Sequence, residues 1–471
     1  MALFKNRINQ SLILVSLFLI SSCASTRTFQ QQYVEASGAV AGRDFASAAT
    51  VIESHKENTY KQKDRVLYYL DVGMLYHYSG EYEKSNAALT EAERGIEELY
   101  TSSISRAVTS GVLNDNALEY SGEDYEDIYL NVFKGLNYIA LGDPESAMVE
   151  IRRVHIKLNL LEDKYRSLIE QYNESSEAEG QIEARTNRFH NDVLARYLGL
   201  LLFRYENDFD GARIEQDFIK EAFRTQSHLY DFNLPELPDL EYDPDMARLS
   251  VLAFTGISPR KVAETFYLDT VRNGVFITSV SQNEEYVKSV VGFNFLLMPG
   301  VEAGYHFKFE YPRMEKMNSK VNRIVLLVDG VPVRELFLLE KMENIAHEIF
   351  LIKQPLVIGK SILRTVAKGI LKESGKNAVK ESMSDDAGGM VLGMLIGIAA
   401  DVAVDATENA DLRISQYFPA YAHGVDFDLP PGEHHISIEY YKDNKLVYSD
   451  DRGMMQLEAG ELNFIESYVL E

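Results

Sequence analysis

Two periodicities divide the chain. Over residues 33–230 the apolar positions recur at spacings of three and four, which predicts helices that each bury one face. In Tyr69-Leu70-Asp71-Val72-Gly73-Met74-Leu75-Tyr76 a small residue and an aromatic share a helix face, Gly80 supplies a turn, and Leu89 and Ala92 pack back from a second helix. The pattern returns at Gly135, Tyr138, Gly142, Pro144, Ala147 and Ile151, where Gly142-Asp143-Pro144 is a turn that places proline in the first turn of the next helix. Weaker copies stand at Arg43 to Ala48 and around Leu198, Gly199, Leu200, Phe203, Phe209 and Ala212, the latter with Asn207-Asp208 at its turn instead of glycine. Leu234-Pro235-Glu236-Leu237-Pro238-Asp239 and Tyr242-Asp243-Pro244 then interrupt any helix, so 231–246 reads as a linker. Beyond it the period falls to two, at 248–254, 274–280, 305–311, 323–328 and 425–441, with Asp329-Gly330 and Pro430-Pro431-Gly432 as turns between strands.

The spacing of the helical hairpins resembles the tetratricopeptide repeat, although segments 98–126 and 161–185 separate the copies where a regular array repeats every ~34 residues. The expected fold class is therefore α+β: an N-terminal α-helical tetratricopeptide-like repeat solenoid over 33–230, followed by a β-rich, sandwich-like region over 247–471 that carries a helical insertion at about 336–412. Within that insertion Gly389, Gly393 and Gly397 lie in an uncharged run too short to cross a bilayer, and suited to close helix packing. A basic stripe, Lys360, Arg364, Lys368, Lys372, Lys376 and Lys380, is expected to be a solvated helix face.

The first residues change the picture from a cytoplasmic protein to an exported one. Lys5 and Arg7 precede an apolar run from Leu12 to Ile20 broken only by Ser16, and polar residues follow Cys23. That layout is an export signal over 1–22, with a short tether over 23–32. Ile20-Ser21-Ser22-Cys23 resembles the bacterial lipobox, which implies cleavage before Cys23 and acylation of its thiol. Several acyl chains would hold the protein stably on a membrane where one would not. Ala24 after the cysteine resembles the pattern sorted to the outer membrane, so the expected location is the outer membrane, lipid-anchored and facing the periplasm.

Composition sets further limits. A formal net charge of -25 repels nucleic acid and anionic head groups from most of the surface. The single cysteine, Cys23, leaves no internal disulfide, which a chain of 471 residues with 46% hydrophobic content can do without. No Gly-x-Ser-x-Gly elbow, phosphate-binding loop or His-Glu-x-x-His helix occurs, and His434-His435 point to opposite faces of one strand, so neither enzyme activity nor a cofactor or metal is expected. Glu206 to Asp217 loosely follows a calcium loop but is read as a turn, and Arg260-Lys261 is read either as an anion contact on a loop or as a plain surface turn.

Taken with the lipobox, the hairpin at Tyr138 to Ala147, the stretch Phe254-Thr255-Gly256-Ile257-Ser258-Pro259-Arg260-Lys261 and Leu429-Pro430-Pro431-Gly432-Glu433 resemble a family of uncharacterised proteobacterial lipoproteins with tetratricopeptide repeats. The resemblance implies an architectural protein, and members that accompany activators of penicillin-binding proteins imply envelope or cell-wall work. The expectation is a scaffold for protein–protein interaction, bound to membrane lipid through acylated Cys23, whose repeat groove takes an envelope protein or peptide at Tyr69, Tyr76, Asn131 and Tyr138. The alternative is an oligomeric subunit of a secretion or surface-export apparatus, self-associating through the helix at Gly389 to Gly397.

Overall fold

The computed structural model describes residues 31–107, 118–175, 187–240, 243–280, 294–298, 301–354 and 410–470, together with residues 287, 358 and 362. Ile20, Ser21, Ser22 and Cys23, the Gly389 to Gly397 run and the basic stripe from Lys360 to Lys380 lie outside the described residues.

The N-terminal half is built of helix hairpins, α1 (Gln31–Ala41) with α2 (Phe45–Ser54), α3 (Arg65–Tyr78) with α4 (Tyr82–Ala107), α5 (Asp124–Ala140) with α6 (Pro144–Ser175), and α7 (Val193–Tyr205) with α8 (Phe209–Thr225). All four close with one turn geometry. The amide after the left-handed residue reaches back to a carbonyl five positions earlier: Asp44 to Ala39, Glu81 to Tyr76, Asp143 to Tyr138 and Asp208 to Phe203. The left-handed residue itself bonds Val40, His77, Ile139 or Arg204, completing the two bonds that satisfy a helix's last carbonyls. Gly80 and Gly142 adopt φ of 78° and 73° there, while Arg43 and Asn207 take 62° and 61°. The missing glycine of the last hairpin is thus no departure, because asparagine tolerates the same conformation. Asp44, Asp143 and Asp208 then cap the following helix on the amides of Ser47, Ser146 and Gly211. Gly73 faces Leu89 and Gly135 faces Ile151 so closely that an added Cβ would lie 2.8 Å and 3.2 Å away, which is how each hairpin brings its two helices together.

Among the described residues the C-terminal half holds three four-stranded sheets, so the fold is α+β. The first runs β12 (Asn463–Val469), β1 (Ala247–Thr255), β9 (Tyr421–Leu429), β8 (Phe337–Lys341), with β1 and β12 parallel and the other pairs antiparallel. The second runs β11 (Lys445–Leu457), β10 (Gly432–Lys442), β6 (Arg323–Val328), β7 (Val331–Glu335), and the third β4 (Phe295–Leu297), β3 (Gly274–Ser279), β2 (Arg260–Val271), β5 (His306–Glu315). Leu249, Val251 and Ala253 of β1 pack with Ile324, Leu326, Ile436 and Ile438 in an apolar core between the first and second sheets. The alternate residues Leu252 and Phe254 join the helices' core instead. The first sheet is therefore covered on both faces, which is why β1 is buried along almost its whole length and Val251 to Phe254 is an unbroken apolar run.

One boundary moves. The helical insertion was expected from about residue 336, yet 337–341 is the edge strand β8 and helix begins at 342. The apolar run from Leu336 to Leu339 is too short to show a period that separates strand from helix, and here Leu339 settles against Gly424 of β9.

Candidate functional site

The face that the hairpins turn toward the sheets is filled by the chain itself. Residues 410–420 run without regular structure between the helices and the β1–β2 connection. On the sheet side the amide of Ala420 donates to the carbonyl of Thr255 at 3.1 Å, and that of Ser258 to the carbonyl of Phe418 at 2.7 Å. On the helix side the hydroxyl of Tyr78 donates to the carbonyl of Tyr417 at 2.9 Å, and that of Tyr33, shared with Asp71, reaches the carbonyl of Ile414 at 3.2 Å. An extended segment can satisfy its backbone inside a protein only through contacts of this kind.

Two buried acids grip Ser415 between them. Its hydroxyl donates to Asp71 of α3 at 2.7 Å, and its amide donates to Glu126 of α5 at 2.6 Å. Asp71 also accepts from Tyr33 and Tyr60, and Glu126 from Tyr120 and the amide of Glu123. Both side chains are fully buried, and that burial pushes each carboxyl up to about 7 in spite of its donors. Arg413 is held between Asp64 and Asp411 at 2.7 Å from each.

Next to Arg413 lies a cavity of about 240 Å³, lined in part by Tyr100, Tyr120, Lys164, Lys261 and Lys353. Lys261 and Lys353 both meet Glu123, and Lys164 meets Asp124. Each of these cations thus has a carboxylate, so the cavity is an electrically balanced hub where α5, α6, the third sheet and the 410–420 segment join. Lys261 is neither on a loop nor at the surface, as the sequence suggested: it is buried at the start of β2 and also donates to the carbonyl of Arg413. Its neighbour Arg260 pairs with Glu315.

The four expected partner-binding residues do not form one patch. Tyr69 and Tyr76 are half-buried on α3, the first beside Lys56 and the second donating to Glu53. Tyr138 is half-buried in α5, at the turn position equivalent to Tyr76. Asn131 is fully buried and donates to Glu93 and Glu150, so it is not available to a partner. Its helix is covered almost all round, and a polar residue there serves an internal network with Lys134.

Residues 206–217 form the α7–α8 turn and the start of α8, with Asp208 as cap and Arg213 against Asp217. Among the described residues no group of three or more His, Cys, Asp or Glu side chains is arranged to hold a metal ion, and no helix is long and apolar enough to cross a membrane. The residues that make the site, Tyr33, Asp71, Glu126, Arg413 and Ser415, carried one available signal: Asp71 interrupts the apolar run from Val66 to Leu75. A charged residue in that setting is seldom buried without a partner.

Compared with protein-family models, curated proteins and solved structures, the chain matches none of them.

Proposed function

We propose that the chain is a non-catalytic scaffold of the cell envelope, anchored on the outer membrane through acylated Cys23 and facing the periplasm, with helix hairpins that form a tetratricopeptide-like array for protein–protein contact. The observation that carries this reading is the grip on residues 410–420. Three of the four hairpins, all closed by the same turn, hold an irregular segment through its backbone and one serine, which is how arrays of this type take up peptides. In this chain the peptide is its own, so the inner face mounts the sheets, and Tyr69, Tyr76 and Tyr138 remain partly accessible for another envelope protein.

The test has two arms. Cys23→Ser should abolish incorporation of labelled fatty acid and release the protein from the outer-membrane fraction; unchanged fractionation and processing would overturn the anchor. Affinity capture from envelope extract with wild type and with Tyr76→Ala/Tyr138→Ala should recover a partner that the double variant loses. A defined homo-multimer by light scattering, with no partner recovered, would replace the scaffold by the self-assembling export subunit.

A further inference from the structure

The seam between the helices and the first sheet contains a histidine whose hydrogen bonds determine its charge. Ser85 donates its only hydroxyl proton to the carbonyl of Gly73 at 2.8 Å, so toward Asn137 it can only accept. Asn137 therefore turns its NH2 toward Ser85 and Asn86, at 2.9 and 2.8 Å, and its carbonyl oxygen toward Nδ1 of His77, at 2.7 Å. Nδ1 must carry a proton to meet that oxygen. On the other side of the ring Nε2 lies 2.6 Å from Oε1 of Glu466, a carboxylate acceptor on β12. Both ring nitrogens thus face acceptors, and only the imidazolium donates twice.

We propose that this seam is a proton-operated latch, in which His77 ties α3 to β12 only as an imidazolium, so that loss of its proton loosens the helices from the first sheet.

The groups facing each member come from every element packed there. Around His77 these are Glu466 and Tyr468 of β12, Asn137 of α5, Tyr78 of α3 and Tyr82 of α4, with Arg452 of β11 acting on Tyr82. Around Asp71 they are Tyr33, Tyr60, Ser415 and Tyr417; around Glu126 they are Tyr120, Glu123, Tyr125 and Ser415, with Glu123 itself neutralised by Lys261 and Lys353. Burial works against charge on His77, but Glu466 and then Asn137 outweigh it, so the imidazole is held above its usual value of 6.5. Burial pushes the neighbouring carboxyls of Asp71 and Glu126 up as well. His77 itself binds its proton more tightly in the closed seam than in the opened one, and loss of that proton favours opening as pH rises.

Two measurements on the full wild-type chain in detergent decide it. In a histidine-15N-labelled sample, the His77 ring, assigned by its shift in Glu466→Gln, should show two protonated nitrogens at about pH 7; an unprotonated ring nitrogen there would overturn the proposal. Native-state hydrogen exchange, corrected for the intrinsic pH dependence of the amide reaction, should show protection of α3 and β12 falling as pH rises above 6.5, up to roughly tenfold per unit for the proton lost, while β6 and β10 hold theirs. Unchanged protection at the seam, or an equal fall in β6 and β10, would overturn it as well.

Discussion

The first sheet has two unlike faces. Toward the second sheet it meets Ile324, Leu326, Ile436 and Ile438, a core of aliphatic side chains that needs only to keep water out. Toward the helices it meets Tyr78 and an ion-paired histidine, and the 410–420 segment alongside adds tyrosines, two buried acids and an arginine between two aspartates. The apolar face gives stability without regard to pH or to detailed register. The polar face gains less per unit area, since every donor and acceptor must find its partner, but it accepts only one alignment of helices on sheet.

The largest expected effect comes from breaking the polar face at its arginine. Arg413→Ala leaves Asp64 and Asp411 without their cation and should cost about 3–5 kcal/mol. On the apolar face, Ile438→Ala should cost about 2–4 kcal/mol by opening a cavity at a fully buried position. Denaturant titrations separate the two mechanisms better than their size does. The Arg413→Ala penalty should shrink as pH falls through the carboxylate range, because neutral aspartic acids no longer require a cation; the Ile438→Ala penalty should stay constant. A constant penalty for both would mean that Arg413 contributes packing alone.

Next in size is the pH dependence of the intact protein. Asp71 and Glu126 release their protons at ordinary values of 3.8 and 4.5 once unfolded, but only at about 7 in the fold. Their contribution is complete below those ordinary values and is lost as pH rises through about 7, with a slope of up to roughly 1.4 kcal/mol per unit for each proton. Burial raises Asp192 to about 6 and Glu340 well above the carboxylate range, adding to the same trend, and His77 extends it above 6.5. The opposite sign belongs to Glu93, which Lys157 and Lys134 hold at about 2 against the effect of burial, and whose contribution is lost as pH falls below 4.5. Stability measured by denaturant should therefore peak at mildly acid pH and decline toward alkaline pH. A maximum near pH 8 would contradict the account of the polar face.

The two faces also differ in how far they could be read in advance. The hairpins and the strands were legible because their signals are local: Gly142-Asp143-Pro144 punctuates a three-and-four pattern, and the apolar run 324–328 closed by Asp329-Gly330 and the alternation in 435–441 mark strands. The seam was not, because it joins residues that no local period connects. Asp71 and Ser415 are 344 positions apart, and His77 and Glu466 are 389 apart. Local reading went astray where a polar residue is buried by distant chain, placing Asn131 in a groove and Lys261 on a loop. It also had no means of anticipating that the inner face of the hairpins would be taken by residues 410–420.

The smallest expected effect tests the one feature that the four hairpins share. Gly80 occupies the left-handed turn at φ 78°, and a Cβ there would meet nothing within 4 Å, so Gly80→Ala isolates the backbone cost of that conformation and should destabilise by about 1 kcal/mol. Asn207 already carries a side chain in the same conformation at φ 61°, and asparagine bears it at little cost. Replacing it with glycine relieves that small strain but gives the unfolded chain more freedom, and the two effects offset. Asn207→Gly should therefore change stability by less than about 0.5 kcal/mol in either direction. If denaturant midpoints moved as far for Asn207→Gly as for Gly80→Ala, the two turns would not be equivalent, and the likeness of the hairpins would end at their hydrogen bonds.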